Sequence, residues 1–118
     1  MILVDTSVWV DHLRSGTIGL DALLNDNQVI CHPFIIGELA CGYLKNRTEI
    51  LALLQELPMA IRADDEELIT FIDDYTLMGK GLGYIDIHLL MSAMLTKVPL
   101  WTIDKRLHEI SLQLRLTH

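Results

Sequence analysis

Two rhythms of apolar and polar positions alternate along the chain. Short apolar runs end in capping or turn residues, and longer stretches repeat apolar residues at three- and four-residue spacing. Ile2-Leu3-Val4 is the first short run, closed by Asp5-Thr6-Ser7, three residue types that cap helices. The pattern then predicts helices over residues 7–14 and 20–25, a strand over 28–31, and a helix from Pro33 to about residue 44, since proline suits a first helical turn. A helix over 48–57 and a short strand over 59–61 follow. Asp64-Asp65-Glu66-Glu67 is an acidic first turn, favourable at the positive end of a helix dipole. Behind it, Leu68, Phe71, Ile72 and Tyr75 mark one helix face, with Gly79 and Gly81 ending the element. Residues 84–97 are apolar nearly all round, which predicts a buried helix. Residues 99–103 read as a strand, about 104–110 as a helix, and 112–116 as a last edge strand.

Strands alternating with helices imply an α/β fold with a parallel sheet between helical layers. In such folds ligands bind beyond the carboxyl ends of the strands, where Asp5 and Asp104 are expected.

Composition narrows the class. With 118 residues the chain is expected to be one domain, spanning 1–118. A hydrophobic fraction of 51% excludes intrinsic disorder. No apolar run reaches the roughly 20 residues of a membrane helix. The start has no basic region and meets Asp5, which argues against a secretory leader. Cys31 and Cys41 are too few for a disulfide scaffold or a four-ligand zinc site. The expectation is a soluble cytoplasmic protein. Its net charge of -7 repels nucleic acid at long range, although a bound cation reverses the sign locally.

Most acids sit in polar stretches and need only solvent. Four do not. Asp5 follows Ile-Leu-Val, Glu38 lies within Phe34-Ile-Ile-Gly-Glu-Leu-Ala-Cys41, Asp86 within Tyr84-Ile-Asp-Ile-His-Leu-Leu-Met91, and Asp104 follows Leu-Trp-Thr-Ile. An unpaired buried carboxylate costs several kcal/mol, and no Lys or Arg stands in the first three of these runs. Singly, Asp5 and Asp104 are explained as helix caps and Asp86 as a first-turn acid, while Glu38 falls mid-helix. Jointly, the economical reading is convergence on a divalent cation, Mg²⁺ or Mn²⁺, which hard carboxylate oxygens suit. Thr6, Ser7 and Thr102 flank the strand-end aspartates, where a hydroxyl either orients a carboxylate or caps a helix. Lys45, Arg47, Lys80, Lys105 and Arg106 are the basic residues nearest these segments; each reads as a surface charge or as a neutraliser of phosphates around the crevice. Asp11 reads as an exposed helix residue or an outer member of the site, and His88 as a core residue or a substrate contact. No histidine pair has HExxH spacing.

The segments Met1-Ile-Leu-Val-Asp-Thr-Ser-Val-Trp9, Gly37-Glu-Leu39, Gly83-Tyr-Ile-Asp-Ile-His-Leu-Leu90 and Leu100-Trp-Thr-Ile-Asp-Lys-Arg-Leu107 resemble the motifs of PIN-domain ribonucleases, and within them the VapC toxins of prokaryotic toxin–antitoxin pairs. The resemblance covers residues 1 to about 112 and matches Asp5, Glu38 and Asp86 to the family's core acidic metal ligands and Asp104 to the fourth acidic position, which completes the site more loosely, with Thr6 at the hydroxyl position. It implies a Rossmann-like parallel sheet of four or five strands flanked by helices. It also implies a Mg²⁺- or Mn²⁺-dependent endoribonuclease, a homodimer, and a cognate VapB-like antitoxin that blocks the site. Two departures stand out: Ile87 is bulkier than the family's usual small residue, and the chain after Leu107 has no glycine turn before its last expected strand. Other readings of the same pattern are a non-toxin PIN nuclease of RNA processing, a phosphatase-like domain and a receiver-like domain. The phosphatase wants a second aspartate where Ser7 stands, and the receiver an acidic pair that Asp5-Thr6-Ser7 does not supply.

Overall fold

A computed structural model describes residues 1–17 and 19–118. Its centre is β1 (Ile2–Val4), three apolar residues with every side chain buried. β1 pairs in parallel with β2 (Val29–Ile30) on one edge and β3 (Leu100–Trp101) on the other, giving the order β2-β1-β3. The register sets Leu3 opposite both Ile30 and Leu100, and Val4 opposite Trp101. β1 and β3 therefore end side by side, and the residues that follow them face the same rim.

Seven helices surround this sheet among the described residues: α1 (Thr6–Ser15), α2 (Leu20–Asn25), α3 (Pro33–Cys41), α4 (Arg47–Glu56), α5 (Asp65–Tyr75), α6 (Tyr84–Thr96) and α7 (Lys105–Gln113). The helix starts follow from their residues. Asp5 and Asp104 cap α1 and α7, His32 caps α3 with Pro33 in its first turn, and Asp64 with Glu67 forms a reciprocal capping box on α5. In α6 every residue from Ile87 to Ala93 is buried, as its all-round apolarity predicts. None of the described helices is long and apolar enough to cross a membrane.

The expected four or five strands appear as three, with two single-residue bridges beyond them. Met59 bridges Cys31 and Thr117 bridges Leu100, both in parallel. The positions of the outer strands exist, but their ladders do not extend. Beside Met59, Pro58 has no N–H to give the ladder and only its carbonyl engages, accepting from Cys31. The strand expected over 112–116 is corrected: α7 runs through Gln113, because Leu107, Ile110 and Ser111 bury at helical spacing. α3 stops at Cys41 rather than near residue 44, and α5 stops at Tyr75, where Thr76 takes the left-handed conformation ahead of the two glycines.

Candidate active site

Asp5 emerges directly from β1 and is buried. Its Oδ2 accepts from the Ser7 hydroxyl at 2.7 Å and the Thr102 hydroxyl at 2.8 Å, with the Ser7 amide at 3.4 Å. A hydroxyl has one proton, so with both given to Asp5 the 3.2 Å approach of Ser7 to Thr102 carries none. Ser7 Oγ in turn accepts from the Ile103 amide, and Thr102 Oγ1 from the Asp104 amide. The carboxylate is thus locked to the chain leaving β3. All these bonds fall on Oδ2; Oδ1 has no partner among the described residues, yet is not enclosed, so it opens to solvent.

The other three acids repeat this division. Glu38, exposed on α3, takes the Thr6 hydroxyl on Oε1 at 2.7 Å, which ties α3 to the first residue of α1. Asp86, partly buried in the first turn of α6, takes the Gly83 amide on Oδ2 at 3.0 Å. Asp104, exposed ahead of α7, takes the Leu107 amide on Oδ1 at 2.9 Å. Each acid has one oxygen held by the protein and one with no protein partner among the described residues. The expected capping role of Asp5 and Asp104 and an outward-facing role for their second oxygens coexist.

These charges feel one another. Burial pushes the Asp86 carboxyl above the usual carboxylate range, and the negative charges of Asp5 and Asp104 push it the same way, against the Gly83 hydrogen bond. None of the four acids forms an ion pair with Lys or Arg among the described residues; the pair present there is His12 with Asp21. All free donors are hard oxygens, which fits a divalent cation. As they stand, no three His, Cys, Asp or Glu side chains among the described residues gather closely enough to enclose an ion. Glu38 and Asp104 are exposed, so the burial cost expected for all four acids falls on Asp5 and, in part, on Asp86.

The expected cations divide. Arg47 donates twice to the Ala40 carbonyl, from Nη2 at 3.0 Å and Nε at 3.3 Å. Arg106 donates to the Lys80 carbonyl and lies over Gly81, tying α7 to the loop before α6. Lys45 and Lys105 are exposed, with no side-chain partner among the described residues. Asp11 is exposed and accepts from the Thr17 hydroxyl at 2.8 Å, in a bond separate from the four acids. His88 is a core residue, buried against Tyr84, Phe34 and His32, with neither ring nitrogen partnered among the described residues. Tyr43, which the sequence pattern placed inside a helix, lies instead in the turn after α3 and is fully exposed.

The PIN domain family model matches residues 2–112. Two curated relatives, both Ribonuclease VapC32, come from Mycobacterium tuberculosis strains CDC 1551 / Oshkosh and ATCC 25618 / H37Rv. Each is 44% identical over 108 residues, covering 91% of this chain and 87% of the relative. No solved structure matches the chain significantly. With the match spanning all four acids and the sheet that carries them, the chain belongs to the PIN domain family, in its VapC-type branch.

Proposed function

We propose that this protein is a divalent-metal-dependent endoribonuclease, the toxin of a toxin–antitoxin pair, which hydrolyses RNA phosphodiester bonds at Asp5, Glu38, Asp86 and Asp104. The carrying observation is electrostatic. Four carboxylates stand around one end of a parallel sheet, each with an oxygen left over and none paired with a lysine or arginine among the described residues. Left alone, such a group repels both itself and a phosphate. Mg²⁺ or Mn²⁺ held by these four residues supplies positive charge to the attacked phosphate and lowers the proton affinity of the attacking water.

The chain's own residues fix the geometry. Ser7 and Thr102 set the angle of Asp5, Thr6 sets that of Glu38, and the amides of Gly83 and Leu107 set those of Asp86 and Asp104. Lys45 and Lys105 meet the phosphates on either side of the cut. Water attacks phosphorus in line and the bond to the 3′ oxygen breaks, leaving a 5′-phosphate and a 3′-hydroxyl. The neighbouring His32 and His88 are buried and serve the core, so the 2′-hydroxyl is not drawn into the reaction by them. The reading includes a cytoplasmic homodimer held inactive by a VapB-like antitoxin.

The test is cleavage of labelled RNA with Mg²⁺ or Mn²⁺. EDTA abolishes it, and Asp86→Asn, which keeps an oxygen for the Gly83 amide, lowers it about a hundredfold or more while the circular dichroism spectrum is retained. Undiminished cleavage by folded Asp86→Asn would refute the assignment. Growth arrest on expression, relieved by coexpressing the adjacent small open reading frame, separates a toxin from an RNA-processing nuclease.

A further inference from the structure

The turn between α3 and α4 carries an aromatic side chain with no internal duty. Tyr43 has a relative exposure of 108%, so its ring packs against nothing in the chain. The backbone beneath it is nonetheless fixed. Arg47, at the start of α4, grips the Ala40 carbonyl near the end of α3 through two guanidinium nitrogens and clasps the turn from both sides. A ring that gains nothing from the fold thus stands on a pinned support.

Tyr43 borders a groove of about 660 Å³ between α1, α3 and α4. That volume is in the range of clefts that take small ligands, about 300–1,000 Å³. Its apolar surface comes from Leu13, Leu39, Leu44 and Ile50, its positive charges from Arg14 and Lys45, and one of its lining residues is Glu38. The groove is therefore continuous with the candidate active site. An apolar groove bordered by an unoccupied aromatic and two cations complements a nucleobase and its phosphates, and the local positive charge opposes the repulsion from a chain of net charge -7.

We propose that this groove seats a nucleotide of single-stranded RNA flanking the scissile phosphate. Its base stacks on Tyr43, and Arg14 and Lys45 meet its backbone. This rests on the ribonuclease reading and makes Tyr43 a positioning and specificity residue for that reaction. Stacking accepts every base but favours those with larger faces, so the groove contributes a graded preference rather than a strict code.

The experiment uses the full-length protein and a fluorescein-labelled, mixed-sequence RNA 12-mer with Mg²⁺. Tyr43→Ala raises KM about tenfold, the worth of one base–aromatic stack, with the loss carried by KM rather than kcat. Tyr43→Trp restores KM, and on the Asp86→Asn background its added fluorescence is quenched by the 12-mer. Lys45→Gln lowers the slope of log affinity against log salt by about 0.7. Wild-type cleavage with an unchanged KM in Tyr43→Ala overturns the groove assignment and leaves the ribonuclease reading standing. An unchanged KM with weakened binding of the antitoxin also overturns it, giving the groove to a protein partner. Wild-type protein that cleaves no RNA removes the ribonuclease reading itself, and the groove assignment with it.

Discussion

Single protons decide much of what happens in this molecule. At Asp5 they come from Ser7 and Thr102, which give theirs to one carboxylate oxygen and leave the other open. The sequence made those hydroxyls legible as neighbours of an acid, but not as donors to the same oxygen, because that depends on β1 and β3 ending side by side. At His32 the proton is kept away. The ring is buried; Nδ1 accepts the Phe34 amide at 3.0 Å, so Nε2 carries the hydrogen and faces Ser92 Oγ at 3.1 Å. Burial lowers the pKa from 6.5 to about 4, and the nearby His88 and Arg62 add to this. A second proton on Nδ1 would end the α3 cap. The unfolded chain takes up that proton near pH 6.5 and the folded one only near 4, so this contribution to stability is complete above 6.5 and lost as pH falls towards 4. The His32 contribution to the melting midpoint, read as the difference from a His32 variant, is expected to be level above pH 6.5 and to decline below it. His32→Asn, which keeps a capping acceptor, lowers the midpoint at pH 7 and flattens the decline. An equally steep decline in that variant would place the acid sensitivity elsewhere.

Elements were legible where one residue pattern had one reading. Ile2-Leu3-Val4 followed by three capping residues leads to the observed β1 and α1, and an all-round apolar stretch leads to α6. The end of the chain had two readings. Leu112, Leu114 and Leu116 alternate like a strand, but Leu107, Ile110 and Ser111 already commit the backbone to a helix that buries them. Nor does the sequence show that Arg47 and Arg106 serve carbonyls, since their partners are seven and 26 residues away. The Arg106 contact shapes the loop before α6. Gly81 has φ +77°, and a Cβ there would overlap the Arg106 side chain. Gly81→Ala is expected to cost about 1–2 kcal/mol from the left-handed backbone alone, with more from displacing Arg106. Gly79→Ala, at φ +71° with open space around it, incurs only the backbone part. Urea unfolding of the two variants measures the difference, and equal losses would show that Arg106 yields without cost.

At the scale of the whole molecule, the four acids stand out in the sequence by their apolar surroundings, but the cost of burying an unpaired charge applies in the structure to Asp5 and in part to Asp86, since Glu38 and Asp104 are exposed. The Thr6 tether of Glu38, the shared donors on Asp5 and the groove beside Glu38 do not show in the sequence, since each arises from segments meeting in space. Asp86 links the site to global stability. Its carboxyl is pushed up by burial and by Asp5 and Asp104, so the folded state binds more protons than the unfolded one above pH 3.8. Ionised Asp86 therefore costs stability at neutral pH, and the cost vanishes below 3.8, where both states are protonated. A cation bound only by the folded state offsets this and adds about 2.7 kcal/mol at a hundred times its Kd. Mg²⁺ or Mn²⁺ is thus expected to raise the melting midpoint beyond the effect of NaCl at matched ionic strength. Asp86→Asn should start from a higher metal-free midpoint at pH 7 and show a smaller metal shift. Asp73→Asn, which removes an exposed charge on α5, should keep the full shift. Wild-type protein whose midpoint ignores both metals would leave the four acids as helix caps and tethers, and take the cation out of the proposed chemistry.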